Sequence, residues 1–201
     1  TLLRKTNLDI IPCTVRTFVS RPSEVFDCFG RCIADVFVTI GNKVINLNQW
    51  LVRYGWVFPS YYNSMTLTEI DLLTNQARAA KKKRLGVWRD GYKQFQSLNQ
   101  SLQYRQNITQ FSAPADTGTA ILPKLFRRLC EYEQKKQEEA YTASFKQFIK
   151  EKNIIVYSKR KYVRYGNNSS KQQKLYVFLD EQGNLLCEPH EIVFVEEETE
   201  L

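Results

Sequence analysis

Residues 27–55 read DCFGRCIADVFVTIGNKVINLNQWLVRYG. Within them Cys32–Ile40 is β-branched and apolar, the composition of a strand. Upstream, residues 13–20 (CTVRTFVS) alternate, with Cys13, Val15, Thr17 and Val19 on one face and Thr14, Arg16 and Phe18 on the other, a second strand pattern. Between the two, Pro22 and Gly30 supply turn residues, so the strands are expected to pair antiparallel as a hairpin with a long, charged tip. Downstream of Gly41 and Asn42, Asn46 is placed to cap a short helix carrying Leu47, Trp50, Leu51 and Tyr54. Gly55 is placed to end it in the left-handed conformation that glycine adopts at little cost.

A second helix is expected from Thr66, which stands in capping-box relation to Glu69. Leu67, Ile70, Leu73, Ala77 and Ala80 recur at three- and four-residue steps and so face a core. Lys81, Lys82, Lys83 and Arg84 complement the dipole at its end, Gly86 is a stop, and Trp88 is expected to pack back onto the core. Residues 93–119 are rich in Gln, Ser and Asn and read as a linker. Apolar residues from Leu122 to Ile149 recur on helical faces, predicting helix over about 121–152. Its polar middle, EYEQKKQEE, either bridges solvent or marks the join of two helices. The runs IIVYSKRKYVRY, KLYVFLD and EIVFVEE, with EQGN at 181–184, predict a β-meander of three or four strands.

The 201 residues carry a net charge of +8. Residues 124–174 hold 14 Lys/Arg against 5 Asp/Glu, whereas residues 175–201 hold eight acids and no Lys or Arg. A basic surface attracts phosphate backbones by releasing counterions, and the basic, aromatic segment Lys159 to Tyr165 has the composition to stack on and neutralise a single strand. The plain alternative is a solvated basic face with the acidic end folded against it. With 43% hydrophobic residues the chain has apolar material for a core, which excludes disorder throughout. No apolar stretch approaches the roughly 18 to 20 residues of a membrane-spanning helix. The chain opens on Thr1 with no signal-peptide pattern, and reads as a fragment or processed product. Five cysteines make no disulfide framework and favour a reducing compartment. Cys13 and Cys130 read as small core residues, and the pairs Cys28/Cys32 and Cys187/His190 lack the compact composition of a zinc site. No phosphate-binding glycine loop or nucleophile–base motif is present.

Three motifs together carry a resemblance. Asp27, Gly30 and Arg31, then Asn48, Leu51, Val52, Arg53 and Gly55, then Gln76, Ala77, Ala80, Lys81, Gly86 and Trp88 follow one another in the order and spacing of the C-terminal half of the staphylococcal-nuclease-like, or thermonuclease, domain. The resemblance covers about residues 13–92. It implies an α+β chain: an OB-fold-like (staphylococcal-nuclease-like) β-barrel with helices, missing its first strands, over residues 1–92. The linker 93–119 and a small helix-plus-β-meander domain over 120–201 follow. It also implies calcium-dependent (Ca2+) hydrolysis of DNA or RNA phosphodiesters, with Arg31 as the catalytic phosphate ligand and Asp27 and Gly30 supporting it. Tyr61, Tyr62 and Lys43 are implied as substrate contacts. Phe29 stands where the family has tyrosine. The family's calcium-ligating aspartates, second arginine and glutamate lie on strands expected before Leu2, so a missing N-terminal segment is an implied partner and this chain alone is expected to ligate no metal. Three readings follow: part of a nuclease, a noncatalytic nucleic-acid-binding module, or an interaction protein using a nuclease-like scaffold. The compartment stays open, since secreted nucleases are common in the family.

Overall fold

A computed structural model describes residues 11–17, 25–26, 32–89 and 122–195. Strands β1 (Cys13–Arg16), β2 (Asp35–Ile40) and β3 (Lys43–Asn46) form an antiparallel sheet in that order. Arg16 lies opposite Asp35 and Cys13 opposite Val38, and a further antiparallel pair, Phe26 with Cys32, extends the hairpin toward its tip. The expected hairpin therefore forms, with a shorter second strand that begins at Asp35. Residues 18–20 and Pro22 lie outside the described residues. Every residue of β1 is exposed. Cys13 is consequently a surface residue and not the core residue that its alternation suggested; Cys130 is half-buried.

Helix α1 (Leu47–Arg53) starts where Asn46 accepts the Gln49 N–H at 3.1 Å. Asp35 fixes this start to the sheet, accepting from the side-chain amides of Asn46 at 3.0 Å and Asn48 at 2.9 Å. Asn48 also donates to the Ala34 carbonyl at 3.1 Å. Asp35→Ala removes the charged acceptor of both amides and is expected to cost about 1–2 kcal/mol, read as a lowered urea midpoint at unchanged m-value.

Helix α2 (Leu67–Lys82) carries the complete capping box of Thr66 and Glu69. Its buried stripe is Ile70, Thr74, Ala77 and Ala80, while Leu67 stays 44% exposed. The ends of α1 and α2 meet back to back. Gly55 at φ +71° and Gly86 at φ +49° touch through their backbones, and the Val87 N–H donates to the Gly55 carbonyl at 2.7 Å.

Beyond the linker the predicted long helix is two, α3 (Pro123–Glu139) and α4 (Phe145–Glu151), broken where Ala140 takes a left-handed conformation at φ +51°. The expected meander is also revised. Strand β5 (Ile155–Ser158) gives way at once to helix α5 (Lys159–Tyr165), and KLYVFLD holds a 3-10 turn (Leu175–Phe178) instead of a strand. The turn over Asp180–Asn184 does form, with Leu179 and Leu185 bridged antiparallel across it. A second sheet combines β4 (Tyr61–Tyr62), β7 (Ile192–Phe194), β5 and β6 (Gln173–Lys174), in the order β4-β7-β5-β6, with β4 parallel to β7 and the other pairs antiparallel.

That parallel pair joins the two sides of the linker. Val52, Phe58, Ala77 and Trp88 share one apolar cluster with Leu129, Phe148, Val156 and Ile192. A second, smaller cluster of Tyr61, Ile70, Tyr157, Tyr162 and Val193 does the same, so among the described residues each apolar cluster draws on both the residues before 90 and those after 121. The acidic end takes part: Glu181 pairs with Lys146 and Glu188 with Lys81, each at 2.7 Å. Among the described residues no helix is long and apolar enough to cross a membrane.

Candidate functional site

Asp27, Phe29, Gly30 and Arg31 lie outside the described residues, but the base of their turn is described. The Ile33 N–H donates to the Val25 carbonyl at 2.8 Å, and Phe26 pairs with Cys32. These contacts bring Val25–Phe26 and Cys32–Ile33 together beyond the end of the β1–β2 pair. Beside the same sheet, β2, β3, α1 and α2 line an open groove of about 610 Å3. It is lined by Lys43, Arg53, Trp50, Tyr54, Gln49 and Gln76 among others. The rings of Trp50 and Tyr54 lie 4.7 Å apart, the Arg53 guanidinium sits 5.9 Å from the Tyr54 centroid, and the Gln76 Oε1 is buried with no hydrogen-bond partner among the described residues. Lys43 is exposed at the rim. Two cations, two aromatic rings and amide groups make a surface able to take a phosphate beside a planar ring.

The stretch holding the hairpin, the clasp at Asp35 and the glycine contact corresponds to a known family. Residues 10–90 match the model of the staphylococcal nuclease homologue family. This segment is similar to staphylococcal nuclease homologues. An uncharacterised protein of Methanocaldococcus jannaschii is 36% identical over 62 residues, a match covering 31% of this chain and 28% of that protein. The chain thus spans well under a third of the relative's length. No solved structure matches.

The nuclease-like segment distributes its expected substrate contacts unevenly. Lys43 joins Arg53 in the groove, whereas Tyr61 and Tyr62 belong to β4 in the other sheet. Tyr61 has no exposed surface, so its expected role as a stacking platform is corrected: a ring without free surface has no face to offer a base. Thr74 Oγ1 donates to the Ile70 carbonyl at 2.6 Å, so it accepts from the Tyr61 hydroxyl at 2.8 Å and from Lys159 Nζ at 2.7 Å. Burial pushes the Tyr61 phenol up to about 12 despite its bond to Thr74. Lys159 also pairs with Asp71 at 3.2 Å. This network, linking β4, α2 and α5, went unread in the sequence. Its signal was a threonine four residues after Ile70 on the apolar stripe of α2. Tyr62 is half-buried, with its ring 6.1 Å from Phe194.

The family's calcium requirement meets no donor set here. Among the described residues no group of three or more His, Cys, Asp or Glu could hold a metal ion, and the Asp35 carboxylate is already taken up by Asn46 and Asn48. These residues do not fit the ion.

His190 closes the opposite side of the core against Trp88, with ring centroids 6.1 Å apart. Its Nδ1 has no hydrogen-bond partner among the described residues. Burial holds its pKa below the ordinary 6.5, reinforced by Arg78 and Lys81 and opposed by Glu188 and Glu191. As pH falls through about 6.5 the unfolded chain takes up a proton that the folded chain refuses. Stability is therefore full above that value and declines below it, until the folded histidine itself titrates. Urea titrations at pH 7.5 and 5.5 are expected to show this loss, and His190→Gln to flatten the difference.

Proposed function

We propose that the nuclease-like segment is the phosphate-handling part of a calcium-dependent nuclease acting on DNA or RNA, with Arg31 donating its guanidinium fork to a phosphate oxygen. A planar fork suits the charge that builds on phosphorus-bound oxygens during phosphodiester cleavage. The observation that supports this most is the family match over residues 10–90, a range that includes Asp27, Gly30 and Arg31. Asp27 and Gly30 shape the turn, and Lys43 and Tyr62 are auxiliary contacts. The calcium ligands lie outside the described residues, and no step is assigned to them.

A second reading, a noncatalytic nucleic-acid-binding module, draws on the groove of Lys43, Arg53, Trp50 and Tyr54 together with the lack of a metal-ligating cluster among the described residues. The full-length gene product, incubated with labelled DNA and RNA, separates the two. Cleavage in calcium that stops with chelator supports the nuclease; intact substrate that stays bound supports the module. Substrate that is neither cut nor bound refutes both.

A further inference from the structure

Helix α5 separates the residues of Lys159–Tyr165 in a way that a strand would not. Tyr162 turns inward, its ring 5.4 Å from that of Tyr157 and its hydroxyl donating to the Asn63 carbonyl at 2.8 Å. Arg160, Val163, Arg164 and Tyr165 are left exposed. Gly166, at φ +61°, ends the helix, and a 3-10 turn (Ser169–Lys171) folds back, held by Asn168 accepting from Ser170 N–H at 3.0 Å. Two cations consequently converge on one exposed ring. Arg164 from the helix and Lys171 from the turn each lie 5.2 Å from the Tyr165 centroid.

These cations differ from the paired lysines of the chain and share the lack of an ion pair among the described residues with Lys43, Arg53, Lys82 and Lys150. Lys81, Lys146, Lys152 and Lys159 each face a carboxylate. Arg160, Lys161, Arg164 and Lys171 form no ion pair with any described residue. Arg160 and Arg164 stand one helical turn apart, about 5–6 Å between Cβ atoms, so they can meet successive phosphates of one strand. Val163 is the one exposed aliphatic side chain on α5, which gives little to insert into a bilayer. An exposed tyrosine is of use against an unstacked base and of little use against a closed duplex.

We infer that α5 and the turn after it form a binding surface for single-stranded nucleic acid, with Arg160, Arg164 and Lys171 on phosphates and Tyr165 stacked on a base. This surface lies outside the nuclease-like segment and does not depend on its chemistry.

The test is fluorescence anisotropy of the full chain with a labelled single-stranded 20-mer, in chelator so that the probe stays intact, across a salt series. The R160E/R164E/K171E variant is expected to lose at least about tenfold in affinity, with the slope of log affinity against log salt reduced by about 2. Tyr165→Ala is expected to lose roughly fivefold to 150-fold while keeping the slope. Arg160, Arg164 and Tyr165 are exposed and Lys171 is half-buried, and circular dichroism melts check that the fold persists in both variants. Unchanged affinity and slope in the triple variant overturn the proposal, as does equal or tighter binding of a duplex. Binding to phosphatidylserine vesicles without oligonucleotide binding likewise overturns it. Loss in a K43E/R53E variant alone overturns it while leaving the proposed function standing.

Discussion

Gly86→Ala is expected to destabilise the fold by at least about 3 kcal/mol. A methyl group added at residue 86 would lie 1.9 Å from the Gly55 carbonyl oxygen and 2.6 Å from its carbon. Those are backbone atoms, fixed from the other side by the Val87 bond to the same carbonyl, so neither partner can swing away. The left-handed backbone at φ +49° adds roughly 1–2 kcal/mol for a residue bearing Cβ, and forced overpacking adds about 1–3. Gly41 is the internal control. It has a similar φ of +59° but open space around it, so Gly41→Ala should cost only the backbone share, about 1 kcal/mol. In thermal melts the first substitution should lower Tm by about 6–12 °C and the second by a few degrees. Equal shifts would show that the contact between the helix ends does not carry the expected cost.

Arg31→Ala is expected to slow phosphodiester cleavage by the full-length product about 10²- to 10³-fold, the loss typical of one preorganised donor to a developing oxyanion. Most of the loss should appear in kcat, because charge on the phosphate oxygens grows between ground state and transition state. Arg31→Lys keeps the charge but not the planar, two-pronged donor, so it should recover little of the rate. Cleavage by Arg31→Ala within about threefold of the unchanged protein would end the nuclease proposal. Nucleic-acid binding by α5 would be untouched by that result.

Local chemistry was readable wherever a residue acts on its own neighbours. Asn46 and the Thr66–Glu69 box cap helices by bonding backbone groups three residues away, and those caps are present. Gly55 was legible as the stop of α1, whereas α2 ends at Lys82 and turns on Arg84 at φ +50°, two residues before the expected stop at Gly86. That Gly55 and Gly86 touch was not legible, since they lie 31 positions apart and no local rule joins them. The run from Ile154 to Tyr165 is rich in β-branched and aromatic residues, which suit a strand; it is a strand over Ile155–Ser158, but over Lys159–Tyr165 it is a helix, in which Tyr162 packs on Tyr157 and reaches Asn63. Of the expected site, Arg31 rests on the motif alone and lies outside the described residues. Tyr61 was named for its position and misjudged in its environment, because exposure belongs to the packing of β4 between its neighbours and not to the residue.

By itself the sequence determined the hairpin, the two capped helices, the stop of α1 at Gly55 and the similarity of residues 10–90 to staphylococcal nuclease homologues. All of these depend on short-range backbone chemistry or on the order of motifs. Tertiary structure alone decided that the apolar clusters join residues before 90 with residues after 121, that Tyr61 is interior, and that Arg160, Arg164, Tyr165 and Lys171 share a surface. Such outcomes arise when distant segments compete to bury the same apolar area, and β4 settled it here by pairing with a strand more than 120 residues away.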